Sequence, residues 1–222
     1  INEVSANEVE FFLKKIIYTD KYPLTRLSNT TSTEMAKVLE NSYRAMNISF
    51  IQEWTNFAEN SNVDLSEVIH AIKMRPTHQN IMLPGLGVGG YCLTKDSLLA
   101  SWAAKEFYNL EGLNMSEKAI EINDFMPNHS FNNIFKFCKD LKNKNILILG
   151  VSYLGNVGDT RYSPVEMLYN KLKEASAKIK LHDPYIKFWE EVKLDVNTNI
   201  ESFIDENFDI IIFCTRHNVY LQ

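Results

Sequence analysis

The sequence predicts an α-helical domain over residues 1–127, followed by an α/β domain with a Rossmann-like parallel sheet over residues 128–222. Apolar residues recur at helical spacing through the first part of the chain. In the second part, short apolar runs that end in turn residues alternate with helical patterns, which is typical of a parallel doubly wound sheet. Pro127 follows a predicted helix and marks the boundary between the two patterns.

The main predicted element of the first domain is a long helix over residues 33–60. Thr31-Ser32-Thr33-Glu34 has the form of a capping box at its start. Its apolar face includes Phe50, Trp54 and Phe57, and this face suits a dimer interface as well as internal packing. The other predicted helices of the first domain cover residues 6–17, 64–74, 95–108 and 116–125, and Asp64 is the predicted cap of the second of these. In the second domain, helices are predicted over residues 131–141, from residue 163 onward and near residues 201–206, and strands over residues 146–150, 178–184 and 208–214.

Composition limits the class of protein. The chain has 222 residues and a net charge of −5, which fits one large or two small domains and argues against a basic nucleic-acid binder. It has neither an apolar run that could cross a membrane nor a signal-type N-terminus, so a soluble protein is expected. Three widely spaced cysteines without a CxxC pair indicate a reducing compartment, most simply the cytoplasm. Cys138 and Cys214 are expected to be core residues.

The clearest chemical signal is a glycine-rich stretch over residues 83–96. It contains four glycines within six positions, Gly85, Gly87, Gly89 and Gly90. Without Cβ atoms the loop can approach a ligand closely. Cys92 follows at the expected start of a helix, beside Lys95, where the thiolate is favoured, and is the first candidate nucleophile. The alternatives are a dinucleotide-binding loop, which would need a strand before the glycines, and a cysteine that is simply buried.

Three motifs resemble one known family. Pro84-Gly85-x-Gly87-x-Gly89-Gly90-x-Cys92-x-x-Lys95-Asp96 is similar to the active-site loop of the UDP-glucose/GDP-mannose dehydrogenase family. Glu34-x-x-Lys37-x-x-x-Asn41, with Ile48-x-Phe50-x-x-Glu53, resembles that family's central helix. Gly150-Val151-Ser152-Tyr153 and Asp159-Thr160-Arg161-Tyr162-Ser163-Pro164 resemble the start of its UDP-binding domain.

The resemblance implies an NAD-dependent enzyme that oxidises the C6 hydroxyl of a UDP-sugar to a carboxylate through a thioester on Cys92. Lys37 and Asn41 would hold the oxyanion, and Asp96 would orient or deprotonate the hydrolytic water. The residues implied to contact the sugar nucleotide are Arg75, Ile81, Val88 and Gly89, and the residue implied to contact NAD is Arg161. No metal site is expected, because His70 has no second ligand at metal spacing.

The resemblance also implies a fragment. In the family an NAD-binding Rossmann domain precedes the central domain, and further strands follow the point where this chain ends. The fragment is therefore expected to be inactive alone, whereas the parent protein would be a homodimer that acts in surface polysaccharide precursor synthesis. Thr33-Glu34-Met35 and Gly87-Val88-Gly89-Gly90 resemble the UDP-N-acetylhexosamine branch, whereas Lys95 before Asp96 resembles the UDP-glucose branch, so the sugar stays open. Leu154 replaces a family lysine.

Two other functions stay open from the residues alone. The chain could be a non-catalytic module for dimerisation and nucleotide-sugar binding. It could also be a thiol hydrolase that pairs Cys92 with His70 or His78, which would require an imidazole within hydrogen-bond distance of the sulfur.

Overall fold

The computed structural model describes residues 2–221 of the chain. The chain divides into a first unit that ends at Glu40 and a second unit that begins at Asn41. No helix within residues 2–221 is long and apolar enough to cross a bilayer.

The first unit contains helix α1, Glu3–Ile16, and the beginning of helix α2, Thr30–Asn60. The helix α1 starts three residues earlier than predicted because the Asn2 side chain accepts a hydrogen bond from the backbone N–H of Ser5 and caps it. The segment after α1 is tied back to it, since the Arg26 guanidinium lies 2.6 Å from the Glu10 carboxylate.

The second unit begins within α2 and continues through three more helices, α3 (Leu65–Lys73), α4 (Tyr91–Tyr108) and α5 (Asn114–Cys138). Asp64 caps α3 through backbone N–H groups of its first turn, as its position in the sequence predicted. A short 3-10 turn, Pro76–His78, separates α3 from the glycine-rich loop.

The helix α5 runs through Pro127 without interruption, so the prediction that a helix ends before this proline is wrong. A proline inside a helix removes the hydrogen bond to the carbonyl four residues earlier, here that of Asn123. The Gly87 backbone packs at this place, because a Cβ atom on Gly87 would lie 3.3 Å from the Asn123 carbonyl oxygen and 3.5 Å from the Pro127 ring. The domain boundary at residue 127 stays a prediction.

The second unit ends in a small parallel sheet covered by helix α6. The elements are β1 (Asn145–Leu149), α6 (Pro164–Glu174), β2 (Lys178–His182), β3 (Phe188–Trp189), β4 (Leu194–Asp195) and β5 (Ile210–Phe213). The strand β1 lies between β2 and β5, and Ile146 pairs with Ile179 on one side and Ile210 on the other, both in parallel. The three predicted strands and their parallel order are confirmed, while the antiparallel pair β3–β4 was not predicted.

The core of this part lies between the sheet and α6. Ile146 and Ile148 are fully buried and belong to one apolar cluster with Leu168 of α6. Cys138 and Cys214, predicted as core residues, are half-buried and pack against the edge of the same cluster. Because all three strands are parallel, their carboxyl ends lie along one edge of the sheet, where ligands of such sheets bind.

Candidate active site

The glycine-rich loop ends at Gly90, which is the residue before the first turn of α4. Gly90 has a φ of 81°, in the left-handed region that side chains with a Cβ atom avoid. Its N–H donates a hydrogen bond of 3.0 Å to the Arg161 carbonyl, and a Cβ atom here would lie 2.8 Å from the Tyr153 ring. The loop is therefore fastened to the turn that precedes α6.

Cys92 lies in the first turn of α4, and its side chain is exposed. The alternative of a buried structural cysteine is wrong. Two cations lie close enough to interact with this thiol. The hydrogen bond to Asp96 is the main reason that the pKa of Lys95 is raised, and Asp159 is the main reason that the pKa of Arg161 is raised. Cys92 makes a smaller contribution to the raised pKa of each cation. The sulfur is thus solvent-accessible at a helix N-terminus with positive charge nearby, as a nucleophile requires.

One helical turn after Cys92, Asp96 forms a buried pair with Asn41 of α2. The Nδ2 of Asn41 donates to the Oδ2 of Asp96 at 2.6 Å, and the Lys95 ammonium lies 2.9 Å from the other carboxylate oxygen. Asn41 is 1% exposed and Asp96 is 6% exposed. The structure therefore brings together two candidate residues that are 55 positions apart in the chain.

Lys37 belongs to the first unit, and its side chain is exposed. Its ammonium lies 3.7 Å from the carboxylate of Glu40, one turn further along α2. The catalytic role of Lys37 stays a prediction.

The four residues expected to contact the sugar nucleotide lie in or before the glycine loop. Arg75 is exposed and precedes the 3-10 turn, and Ile81 is half-buried. Val88 lines a cavity of about 770 Å³ between the start of α4 and helices α5 and α6. Gly89 is buried, and a Cβ atom there would lie 2.5 Å from the Tyr153 side chain. Their contacts with a ligand stay predictions.

Arg161, expected to meet NAD, is held by a neighbouring carboxylate. Its Nε and Nη2 donate to Asp159 at 3.0 and 2.7 Å, and this contact lowers the pKa of Asp159. The guanidinium is 66% exposed, and its Nη1 takes part in no hydrogen bond within the described chain. The side chain is thus oriented while both N–H groups of Nη1 meet no acceptor within residues 2–221.

A buried cluster around Asp183, which the sequence analysis did not find, organises the carboxyl ends of the strands. One oxygen of Asp183 accepts hydrogen bonds from the backbone of Val151 at 2.9 Å and of Ser152 at 3.1 Å, and it lies 3.1 Å from the Nε2 of His217. The Nδ1 of His217 accepts from the backbone of Asn156, so the proton lies on Nε2. Asp183 directly follows β2 and precedes a proline, and this position is the signal that could have indicated it.

The hydrolase alternative finds no support in the geometry. His70 contacts the Ser66 carbonyl at 2.7 Å, and His78 contacts the Thr77 hydroxyl at 2.8 Å. No imidazole hydrogen-bonds to the sulfur of Cys92 within residues 2–221.

Comparison with known proteins agrees with this architecture. Residues 31–125 match the central domain of the UDP-glucose/GDP-mannose dehydrogenase family, and residues 147–222 match its UDP-binding domain. A UDP-N-acetyl-D-mannosamine dehydrogenase of Methanococcus aeolicus is 29% identical over 99% of this chain and 47% of its own length. That of Methanocaldococcus jannaschii is 33% identical over 87% of this chain and 42% of its own length. The chain thus spans about half the length of the curated relatives it matches.

Solved structures give the same result. The UDP-D-ManNAc dehydrogenase of Pyrococcus horikoshii superposes with a TM-score of 0.80 at 28% identity, over 98% of this chain and 49% of the other. The UDP-N-acetyl-mannosamine dehydrogenase of Staphylococcus aureus gives a TM-score of 0.71 at 26% identity, over 87% of this chain and 43% of the other. These matches define the class as nucleotide-sugar dehydrogenases. The chain belongs to the UDP-glucose/GDP-mannose dehydrogenase family, and it contains that family's central and UDP-binding domains.

Proposed function

We propose that this chain is part of an NAD-dependent UDP-sugar 6-dehydrogenase in which Cys92 is the covalent nucleophile. The observation that carries the proposal is the exposed Cys92 thiol one helical turn from the buried Asn41–Asp96 pair. A thiol that served packing alone would be buried. The names of the relatives favour a UDP-N-acetylhexosamine, such as UDP-N-acetylmannosamine, as the substrate.

The residues of the chain supply the groups for two successive oxidations at C6. The Cys92 thiolate adds to the C6 aldehyde and gives a hemithioacetal, which is oxidised to a thioester. Asn41 and Lys37 donate hydrogen bonds to the oxyanion of each tetrahedral adduct. Asp96 orients the water that hydrolyses the thioester and accepts its proton, so that the carboxylate is released and the thiol is regenerated.

When bound, NAD would supply the hydride acceptor for both oxidations at C6. The residue of this chain that would help to hold it is Arg161. Its two Nη1 donors meet no acceptor within residues 2–221, and Asp159 holds its guanidinium in place. A guanidinium with free donors is suited to a phosphate oxygen. The rest of the NAD site would lie in a Rossmann domain outside this sequence.

The same proposal includes a homodimer through the central helices. Phe50, Trp54 and Phe57 of α2 are 55%, 46% and 64% exposed and form a continuous aromatic stripe, with ring centroids 6.2 and 5.7 Å apart. A stripe of this kind is typical of a surface that a partner covers. The parent protein would act in the cytoplasm, in the synthesis of surface polysaccharide precursors.

The decisive experiment measures NADH formation by the full-length protein with UDP-N-acetylmannosamine and NAD. We expect two NADH per sugar, no uronate product from Cys92→Ser, and unchanged activity of Cys138→Ser, which alters a thiol remote from the loop. The isolated chain should form no NADH but should bind UDP in a calorimetric titration. UDP binding by a full-length protein that oxidises no nucleotide sugar would favour the non-catalytic binding module instead.

A further inference from the structure

The glycine-rich loop is almost without backbone hydrogen bonds of its own. Within the described chain, no backbone group of residues 82–89 forms a hydrogen bond with another backbone group. The nearest such bonds flank this segment, from the Ile81 N–H to the His78 carbonyl and from the Gly90 N–H to the Arg161 carbonyl. A glycine-rich segment between these points has many accessible conformations, so something else must select one of them.

Two amide side chains of α2 form hydrogen bonds with the backbone of the loop and of the segment just before it. The Nδ2 of Asn47 donates to the Asn80 carbonyl at 3.0 Å, while its Oδ1 accepts from the Met82 N–H at 3.0 Å. The Nε2 of Gln52 donates to the Gly85 carbonyl at 2.9 Å. Asn47 therefore gives the backbone just before the loop the hydrogen bonds that a neighbouring strand would otherwise supply. Gln52 binds the carbonyl of Gly85, the first of the four glycines.

Packing alone does not explain an amide at position 52. Gln52 is 1% exposed, and its Oε1 is buried with no hydrogen-bond partner among residues 2–221. A methionine or leucine would fill a similar volume without leaving a buried acceptor unsatisfied. What the glutamine supplies, and an apolar side chain cannot, is the donor to the Gly85 carbonyl.

We propose that Gln52, assisted by Asn47, is a positioning residue that selects the active conformation of the glycine loop. Through the Gly85 carbonyl it determines where the loop backbone lies relative to Cys92 and hence where C6 of the substrate is placed. The proposal rests on the dehydrogenase function proposed above. Neither side chain touches the reacting atoms.

The test compares Gln52→Met with the wild-type chain and with Ser49→Ala. Ser49 is a matched control, because it is buried on the same helix and its hydroxyl bonds only to the Met46 carbonyl of α2. The first readout is the rate of thermolysin cleavage within residues 83–90 of the isolated chain, identified by mass spectrometry. We expect this rate to rise several-fold in Gln52→Met, with an unchanged urea midpoint and no new cleavage elsewhere, and to stay unchanged in Ser49→Ala.

The second readout is the steady-state kinetics of the full-length protein. A displacement of about 1 Å at the reacting centre lowers a rate by up to about a hundredfold, so we expect kcat of Gln52→Met to fall ten- to a hundredfold, with a smaller change in KM. Asn47→Asp is a second variant. It keeps the acceptor for the Met82 N–H but loses the donor to the Asn80 carbonyl, and an intermediate cleavage rate is expected.

The outcomes separate the two proposals. Unchanged loop cleavage in both variants would overturn the positioning role even if the protein is a dehydrogenase. Faster cleavage throughout the chain together with a lower urea midpoint would also overturn it, because the role would then be general stability. If the full-length protein formed no NADH, the dehydrogenase proposal would fail, whereas faster cleavage confined to the loop would still support the tether from Gln52 to Gly85.

Discussion

Replacing Gly89 with alanine should push the glycine loop away from the turns that carry Tyr153 and Tyr162. A Cβ atom at this position would lie 2.5 Å from the Cβ of Tyr153 and 2.6 Å from the Tyr162 carbonyl oxygen, whereas ordinary contacts begin at 3.4 Å. The two surfaces must therefore move apart by about 0.9 Å. Neither atom can rotate away, because one is a backbone oxygen and the other is bonded directly to the main chain.

The size of the effect follows from the cost of overpacking. Inserting a methyl group into a filled site costs about 1–3 kcal/mol, so Gly89→Ala should lower the free energy of unfolding by about 2 kcal/mol. The φ of Gly89 lies outside the left-handed region, so this cost is steric and does not come from backbone strain. Gly85→Ala is the matched control, since no atom lies within 4 Å of its added Cβ. It should be neutral or stabilising by up to about 1 kcal/mol, because the unfolded chain loses freedom.

Urea denaturation followed by circular dichroism measures both variants. The full-length protein should in addition lose nucleotide-sugar oxidation in Gly89→Ala, since the loop and Arg161 would no longer hold their relative positions. Equal unfolding free energies for Gly89→Ala and Gly85→Ala would show that the loop does not pack on Tyr153 and Tyr162 in solution, and the close approach described above would be wrong.

Three further predictions concern titratable groups. Burial lowers the pKa of His182 from its ordinary value of 6.5, so below that pH the unfolded chain binds a proton that the native chain does not. The free energy of unfolding should therefore fall as pH decreases from about 6.5, by at most about 1.4 kcal/mol per pH unit, and His182→Asn should flatten this slope in urea titrations. An equally steep slope in this variant would contradict the prediction. Asp183→Asn should destabilise the chain by about 1–3 kcal/mol, because one carboxylate oxygen becomes an NH2 donor, and either the Tyr185 N–H or the Val151 and Ser152 N–H groups lose their acceptor. An unchanged urea midpoint would contradict that. Iodoacetamide at pH 8 should label the exposed Cys92 well before Cys214, whose pKa burial raises to about 12; peptide mass spectrometry showing equal rates would refute this order.

Local patterns predicted most of the fold. The cap of α3, the apolar spacing of α2 and α3 and the apolar runs of the three parallel strands were sufficient, because helical period and strand burial are read from neighbouring residues. The capping box predicted at residues 31–34 is wrong: α2 begins at Thr30, and its first turn is capped by the Asn29 side chain, which accepts from the Ser32 N–H. The continuity of α5 through Pro127 could not be predicted in this way. The penalty for an interior proline is local, but here the Gly87 backbone packs at the affected turn, and Gly87 comes from a distant part of the chain.

In the candidate site, too, local spacing was predictable from the sequence and long-range contacts were not. Cys92 and Asp96 were recognisable as one helical turn of a loop-to-helix junction, and that spacing is a property of the sequence. The contact between Asp96 and Asn41 joins residues that are 55 positions apart, and only the packing of α4 against α2 creates it. The role of Gln52 could not be predicted, because no residue near it in the sequence indicates that its amide donates to the Gly85 carbonyl.

Residue type and short-range spacing were enough to establish the order of the elements, the chemical identity of the candidate nucleophile and the resemblance to a dehydrogenase family. How the glycine loop is held, which carboxylates are paired and which surfaces are exposed became known from the folded structure. Those features depend on distances between segments far apart in the chain, and the free energy that selects them comes from burial and hydrogen bonds that exist only after the helices and the sheet have packed.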